Sequence, residues 1–306
     1  EASAAFALAA QCSPDHVFPF RRESFAILRR ARERNPRDGR AAYYLGNLFM
    51  LHGQTDQAIA RWEESSQLNP EFALVHRNLA LAHARKPEGM SLAIASMEKA
   101  VGLDAGEPRF CLELDQLYEA AGMATDKRLA FLEEHHAAAA KRDDVLARHI
   151  ALLVEAGEFE RALAMLKDRQ FHIWEGAGRT AVHGSYVGAH IGLGRRHFDA
   201  GRFAEALREY EAALEYPPNL GTGRPLRGER LSETHYHIGL ARQAMGDRDG
   251  AARDFENAVR AAPADLTPQR PTATDEPEVY QYAARALQKL GRADEATRIY
   301  AGLVEC

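Results

Sequence analysis

Four stretches of this 306-residue chain repeat one spacing of small and large residues. In residues 39–72, GRAAYYLGNLFMLHGQTDQAIARWEESSQLNPEF, two amphipathic segments flank Gly53. Leu45, Gly46 and Phe49 mark the first, Ala58, Trp62 and Ser65 the second, and Pro70 closes the block. Residues 187–220 place Leu193, Gly194, Gly201, Ala206, Tyr210, Ala213 and Pro218 at the same offsets. Residues 232–265 do so with Ile238, Gly239, Gly246, Ala251, Phe255, Ala258 and Pro263, and a last block from 277 keeps Tyr280, Gly291, Ala296 and Tyr300. Three middle blocks, 73–107, 108–142 and 143–176, retain fewer marks, among them Leu79, Ala93, Met97, Tyr118, Phe131, Gly157 and Ala162. One helix pair cannot bury its apolar face, but stacked pairs join those faces into one continuous core. Small residues such as Gly46 and Ala58 are expected at close helix approaches. Large ones such as Phe49 and Trp62 are expected to fill the space between successive pairs. The glycines at 53, 157, 201, 246 and 291 fall where a first helix must end and turn.

The Leu-Gly-x-x-aromatic, Ala-x-x-x-aromatic and terminal Pro spacing resembles the tetratricopeptide repeat. The resemblance implies an all-α fold, a right-handed superhelical solenoid of antiparallel helix pairs, here with about fifteen helices. Residues 1–38 are expected to hold partial repeats, second-helix remnants that open the chain mid-unit. Residues 39–176 are expected to form repeats with degenerate middle units, and 177–306 repeats with a 10- or 11-residue insert at each junction. The inserts are 177–186, 221–231 and 266–276. Insertions at a constant place in a solenoid line up along one edge.

The same resemblance places positions 2, 5, 6, 9 and 12 of each first helix along a concave groove that takes extended peptides or helices. The candidate groove residues are Tyr43, Asn47, Arg77, Asn78, Arg109, Arg195, Tyr236 and His237. Asn47 and Asn78 match two asparagines of the carboxylate clamp with which some members hold a peptide C-terminus. The clamp's lysine is Tyr43 here, and Glu113 stands where an arginine is expected, which argues against a chaperone-type tail. Two roles stand for the asparagine pair: gripping a ligand backbone or bridging neighbouring helices. A second candidate patch is the junction FHIWEGAGRTAVHGSY, with His172, Trp174, Glu175 and His183. Its ring residues either plug a gap between units or touch a ligand such as a sugar face.

Several classes are disfavoured. A net charge of −5 with both signs interleaved gives no basic stripe for nucleic acid and no polybasic membrane patch. Cys12, Cys111 and Cys306 are odd in number and far apart, the pattern of a reducing cytoplasm rather than of a disulfide or zinc framework. His76 and His83, like His190 and His197, share a helix face, but at repeat positions that hold ring residues as core filling. No metal, no cofactor and no catalytic residue is expected, and no nucleotide, zincin or nucleophile-elbow motif is present.

Beyond the repeat, SPDHVFP, YYLGN, RWEESSQLNPEFALVHRNLA and FHIWEG resemble the C-terminal part of long bacterial tetratricopeptide proteins. In these a mutarotase-like β-sandwich precedes the helical array. The implied function is a non-catalytic scaffold for a protein or peptide, with the missing N-terminal domain of the same polypeptide among the candidate partners. The alternative is an accessory region of a larger carbohydrate-active enzyme.

Overall fold

The computed structural model describes residues 2–12, 17–172, 181–223, 230–262 and 277–305, and among these every regular element is helical. Two compact units are present, Glu1–Val145 and Leu146–Cys306. The first contains α1 (Ala2–Ala9), α2 (Glu23–Arg34), α3 (Gly39–Leu51), α4 (Thr55–Leu68), α5 (Ala73–His83), α6 (Met90–Leu103), α7 (Pro108–Ala120), α8 (Thr125–Glu134) and the single turn α9 (His136–Ala139). The boundary falls within α10 (Asp143–Glu155), ahead of the point at 176/177 where the inserts begin. The second unit continues with α11 (Phe159–Lys167), α12 (Ala181–Asp199), α13 (Phe203–Ala212), α14 (Leu231–Ala244), α15 (Arg248–Ala261), α16 (Pro277–Lys289) and α17 (Ala293–Glu305).

Within each unit the helices pack as successive pairs. α3 lies on α4, α5 on α6, α12 on α13, α14 on α15 and α16 on α17, and each second helix also meets the next first helix. The glycine after each first helix adopts the left-handed conformation that an L side chain resists: φ is +73° at Gly53, +81° at Gly157, +74° at Gly201, +89° at Gly246 and +77° at Gly291. Gly122 does the same at +71° in the degenerate 108–142 unit. Helix starts are fixed by side chains: the Asp38 carboxylate accepts from Ala41 N at 2.9 Å and that of Asp247 from Gly250 N at 2.8 Å.

The small–large pairing lies within each helix pair. A Cβ on Gly46 would come 2.4 Å from Nε1 of Trp62, one on Gly194 2.3 Å from Cε1 of Tyr210, and one on Gly239 2.6 Å from Cε1 of Phe255. Each aromatic ring of a second helix therefore lies on the bare backbone of its own first helix. Trp62 also shares a core cluster with Val75, Leu79 and Ala82 of α5, so it packs within its own pair and against the next. Phe49 fills the space between successive pairs, with its ring 5.1 Å from Phe25 of α2. The 108–142 unit, which lacks the glycine–aromatic pair, is held differently. There Arg128 of α8 pairs with the fully buried Asp115 of α7 at 2.8 Å, and Tyr118 meets Phe131 edge-on at 5.5 Å.

Part of the first insert is helix: α12 begins at Ala181, ahead of the repeat start at 187. Residues 173–180, 224–229 and 263–276, which include Trp174, Glu175, most of the second insert and all of the third, lie outside the described residues. Among the described residues no helix is long and apolar enough to cross a membrane.

Candidate functional site

In the first unit the candidate groove residues of α3 and α5 meet in one polar ladder that runs on to Glu113 of α7. Asn47 Oδ1 accepts from Trp62 Nε1 and from Asn78 Nδ2, both at 3.0 Å. Arg77 Nη1 donates to Asn78 Oδ1 at 3.4 Å, and Nε donates to Glu113 Oε2 at 2.7 Å, with a second bond from Nη2 to Oε1. Glu113 thus neutralises Arg77, and its hydrogen bond holds the guanidinium above its usual range. The asparagines bridge neighbouring first helices, and a cavity of ≈ 230 Å³ opens beside them, lined by Met50, Leu81 and Arg85 as well as the ladder residues.

Two of the expected groove residues stand apart from the ladder. Tyr43 is 8% exposed, with its ring edge-on to Phe72 at 4.9 Å, so it belongs to the core and not to the groove wall. The aromatic neighbours claim it because position 5 of α3 turns toward the chain entering α5. Arg109 is exposed at the start of α7.

In the second unit the first helices α12, α14 and α16 converge on a cavity of ≈ 490 Å³ lined by Arg195, Arg230, Glu233, Glu278, Val279 and Tyr282. Glu233 is its hub. Oε1 accepts from Arg195 Nη2 at 2.6 Å and from the Tyr282 hydroxyl at 2.9 Å, and Oε2 accepts from Arg230 Nε at 2.7 Å. Arg195 Nη2 also donates to Tyr282 Oη at 2.8 Å, and Arg195 Nε donates to His237 Nε2 at 3.3 Å. The His237 ring stacks on Tyr210 at 5.2 Å, and Tyr236 lies 5.7 Å from Tyr282.

The electrostatics follow from this crowding. Burial alone would raise the Glu233 carboxyl, but the hydrogen bond and charge of Arg230, the charge of Arg195 and the Tyr282 hydroxyl together hold it below its usual value. Burial, and then the Arg195 charge, push His237 down to about 4, so the imidazole is neutral at pH 7. Burial, then the Glu233 charge, raise Tyr282.

The sequence reading named Arg195, Tyr236 and His237 but passed over Glu233, Tyr282 and Arg230. Glu233 occupies position 2 of its repeat and Tyr282 position 6 of the next, so the groove rule applied to every position would have found both. Arg230 ends an insert and has no repeat position. Its left-handed backbone, φ +52°, is unusual for a non-glycine residue and had no sequence signal.

The second candidate patch is not assembled by the described residues. His172 is exposed. His183 is 2% exposed, its Nε2 donates to the Glu215 carbonyl at 3.0 Å, and its ring stacks on Tyr216 at 4.1 Å. Burial lowers its pKa, and it seals α12 against the segment after α13. Trp174 and Glu175 lie outside the described residues. Nearby, Leu163, Leu166, Tyr186, His190, Pro217 and Leu220 line a largely apolar cavity of ≈ 280 Å³ that no motif announces.

His76 packs as a ring residue, 5% exposed, with Nε2 against the Pro70 carbonyl at 2.9 Å, while His190 pairs with Glu209 at 2.8 Å. Among the described residues no group of three or more His, Cys, Asp or Glu is disposed to hold a metal. Cys111 is buried, and burial raises its thiol to about 11, which leaves it unreactive.

Residues 46–86 match the family model described as TPR repeat. Residues 22–62 and 191–223 match one described as tetratricopeptide repeat, and residues 232–265 match another of the same description. The chain thus carries tetratricopeptide repeats, and the degenerate stretch between 87 and 190 falls outside these matches. Among solved structures, YrrB, described as a TPR protein with an unusual peptide-binding site, is 14% identical, with 78% of this chain and 94% of that one covered and a TM-score of 0.34. A tetratricopeptide repeat protein from Parabacteroides merdae is 13% identical over 87% and 92%, with a TM-score of 0.44. MamA is 21% identical over 62% and 95%, with a TM-score of 0.38. Likeness at this level says nothing about a ligand.

Proposed function

We propose that the chain is a non-catalytic docking scaffold that holds a segment of a partner protein along the first helices of its repeats. The observation that supports this reading is the ≈ 490 Å³ cavity to which three successive first helices contribute. A cavity of that size takes a few side chains of a peptide. Repeat arrays present such surfaces because each unit adds one first helix to a shared face.

The chemistry of the pocket favours binding over catalysis. Glu233 has both oxygens engaged, and His237 accepts from Arg195, so neither group is placed to take a proton from a substrate. The pocket's polar groups are fixed donors, suited to holding a ligand. The Asn47–Asn78 ladder is a second station for an extended backbone.

Selection of random displayed peptides on the purified chain tests the proposal. Selected peptides should lose binding in Tyr236→Ala and Arg195→Gln, and any that use the first unit should lose it in Asn47→Ala or Arg77→Ala. Peptides that bind all four variants as well as the parent would place the contact on another surface. The resemblance to longer bacterial proteins makes a β-sandwich domain of the same polypeptide the first folded bait to try.

A further inference from the structure

In the second unit's pocket the cations and the anion are unequally exposed. The Glu233 side chain is 7% exposed, while those of Arg195 and Arg230 are 46% and 33% exposed. The carboxylate is spent on three donors, and the guanidinium groups that hold it still face the cavity with N–H groups to spare. Arg285, whose guanidinium lies 5.4 Å from the Tyr282 ring centroid, adds a third positive charge, and the exposed Glu278 on the rim is the remaining counterweight. We infer that this pocket binds an oxyanion, a carboxylate or phosphate group carried by the docked segment, with Arg195 and Arg230 as its donors. The inference rests on the docking role proposed above.

Three further observations support it. A Cβ on Gly188 of α12 would stand 2.9 Å from Arg230 Nη1, so this guanidinium lies on bare backbone with its orientation fixed in advance. Arg230 is one of two non-glycine residues with positive φ among those described, and backbone held in a costly region collects at ligand sites. Arg230 and Arg195 hold the Glu233 carboxyl down against its burial, and after burial the Arg195 charge is the next cause of the depressed His237 imidazole. In the first unit Arg77 instead meets Glu113 through two bonds, one guanidinium to one carboxylate. Planar guanidinium forks suit carboxylate and phosphate alike.

The test uses the full chain. Sodium phosphate and sodium acetate are each titrated against chloride at constant ionic strength, reading amide chemical shifts of α12, α14 and α16. Saturable shifts with either anion are expected, weakened about tenfold by Arg230→Gln, the loss of one charge-assisted donor. Glu278→Gln, on the exposed rim, should tighten binding by removing a like charge, which a merely structural residue would not do. Phosphate bound about tenfold more tightly than acetate marks a phosphorylated segment, and near-equal binding marks an acidic one.

No saturable shift with either anion, or unchanged binding in both variants that melt like the parent, overturns the inference. Displayed peptides that need Tyr236 but carry no acidic or phosphorylated residue also overturn it, while leaving the docking role standing. Anion binding without any selectable peptide removes the docking role, and with it the claim that the anion is borne by a segment.

Discussion

Both polar stations are built mainly on the first helices of successive repeats, yet they close in opposite ways. In the first unit, Arg77 on α5 meets Glu113 on α7, one cation for one anion, and the asparagines carry the ladder back to Trp62. In the second, a single buried carboxylate is shared by Arg195, Arg230 and Tyr282, with positive charge left over. The difference lies in stoichiometry and not in residue type. A guanidinium matched by its own carboxylate is mainly structural, whereas two that share one carboxylate keep donors for a further interaction. Burial sharpens the contrast, since Glu233 sits deeper than Glu113 and cannot fall back on water.

The largest effect is expected from removing the two carboxylates in turn. Glu233→Gln should cost about 3–5 kcal/mol, because it weakens three charge-assisted hydrogen bonds that converge on one buried carboxylate. Glu113→Gln should cost only about 1–2 kcal/mol, because it weakens bonds to a single guanidinium. Urea denaturation of both variants decides the matter, and equal costs would abolish the contrast.

Next comes acid. His237 has a folded pKa of about 4 against 6.5 for the model imidazole, so the unfolded chain takes up its proton first. Its share of stability is complete above pH 6.5 and is lost as pH falls toward 4, by about 3 kcal/mol in all. Glu233, also depressed, holds its share above its unfolded value and loses it as pH drops through its folded value, below the histidine window. His237→Gln should flatten the fall in melting temperature between pH 6.5 and 4. A slope unchanged in that variant would place the titration elsewhere.

A smaller effect compares backbone contacts. Gly194→Ala drives a methyl into Tyr210 and should cost about 2 kcal/mol by overpacking. Gly102→Ala, in α6 with nothing within 4 Å of the new methyl, should stabilise by about 0.5–1 kcal/mol. Chemical denaturation of the pair separates tight packing from mere helix preference. Smallest of the losses, Asn47→Ala should cost about 1 kcal/mol, since Trp62 Nε1 retains the Tyr43 carbonyl at 3.2 Å. A cost above that of Glu233→Gln would make the first unit's ladder the stronger of the two.

The helix pairs and their turns were legible in the residues. Gly53, Gly201, Gly246 and Gly291 announce left-handed turns, and the Gly46–Trp62, Gly194–Tyr210 and Gly239–Phe255 spacings announce where two helices touch. These are local facts, set by sterics within one repeat, and any chain obeying them forms the same hairpin. His76 could be placed as core filling on the same grounds.

What one repeat does not contain is the pairing of its polar side chains with those of the next. Arg77 and Glu113 are 36 residues apart, Arg195 and Glu233 are 38, and Tyr282 reaches Glu233 across 49. A residue count shows both cations and anions on the first helices, but which of them meet depends on helix register and on where each insert returns the chain. Tyr43 was claimed by neighbouring rings, and Arg230 was turned toward Gly188 by a backbone conformation that its residue type disfavours. The sequence by itself determined a stack of helical hairpins, because steric fit repeats with the chain. Tertiary structure alone decided that one carboxylate meets a single guanidinium and the other is shared by two, because side-chain pairing depends on distance in space.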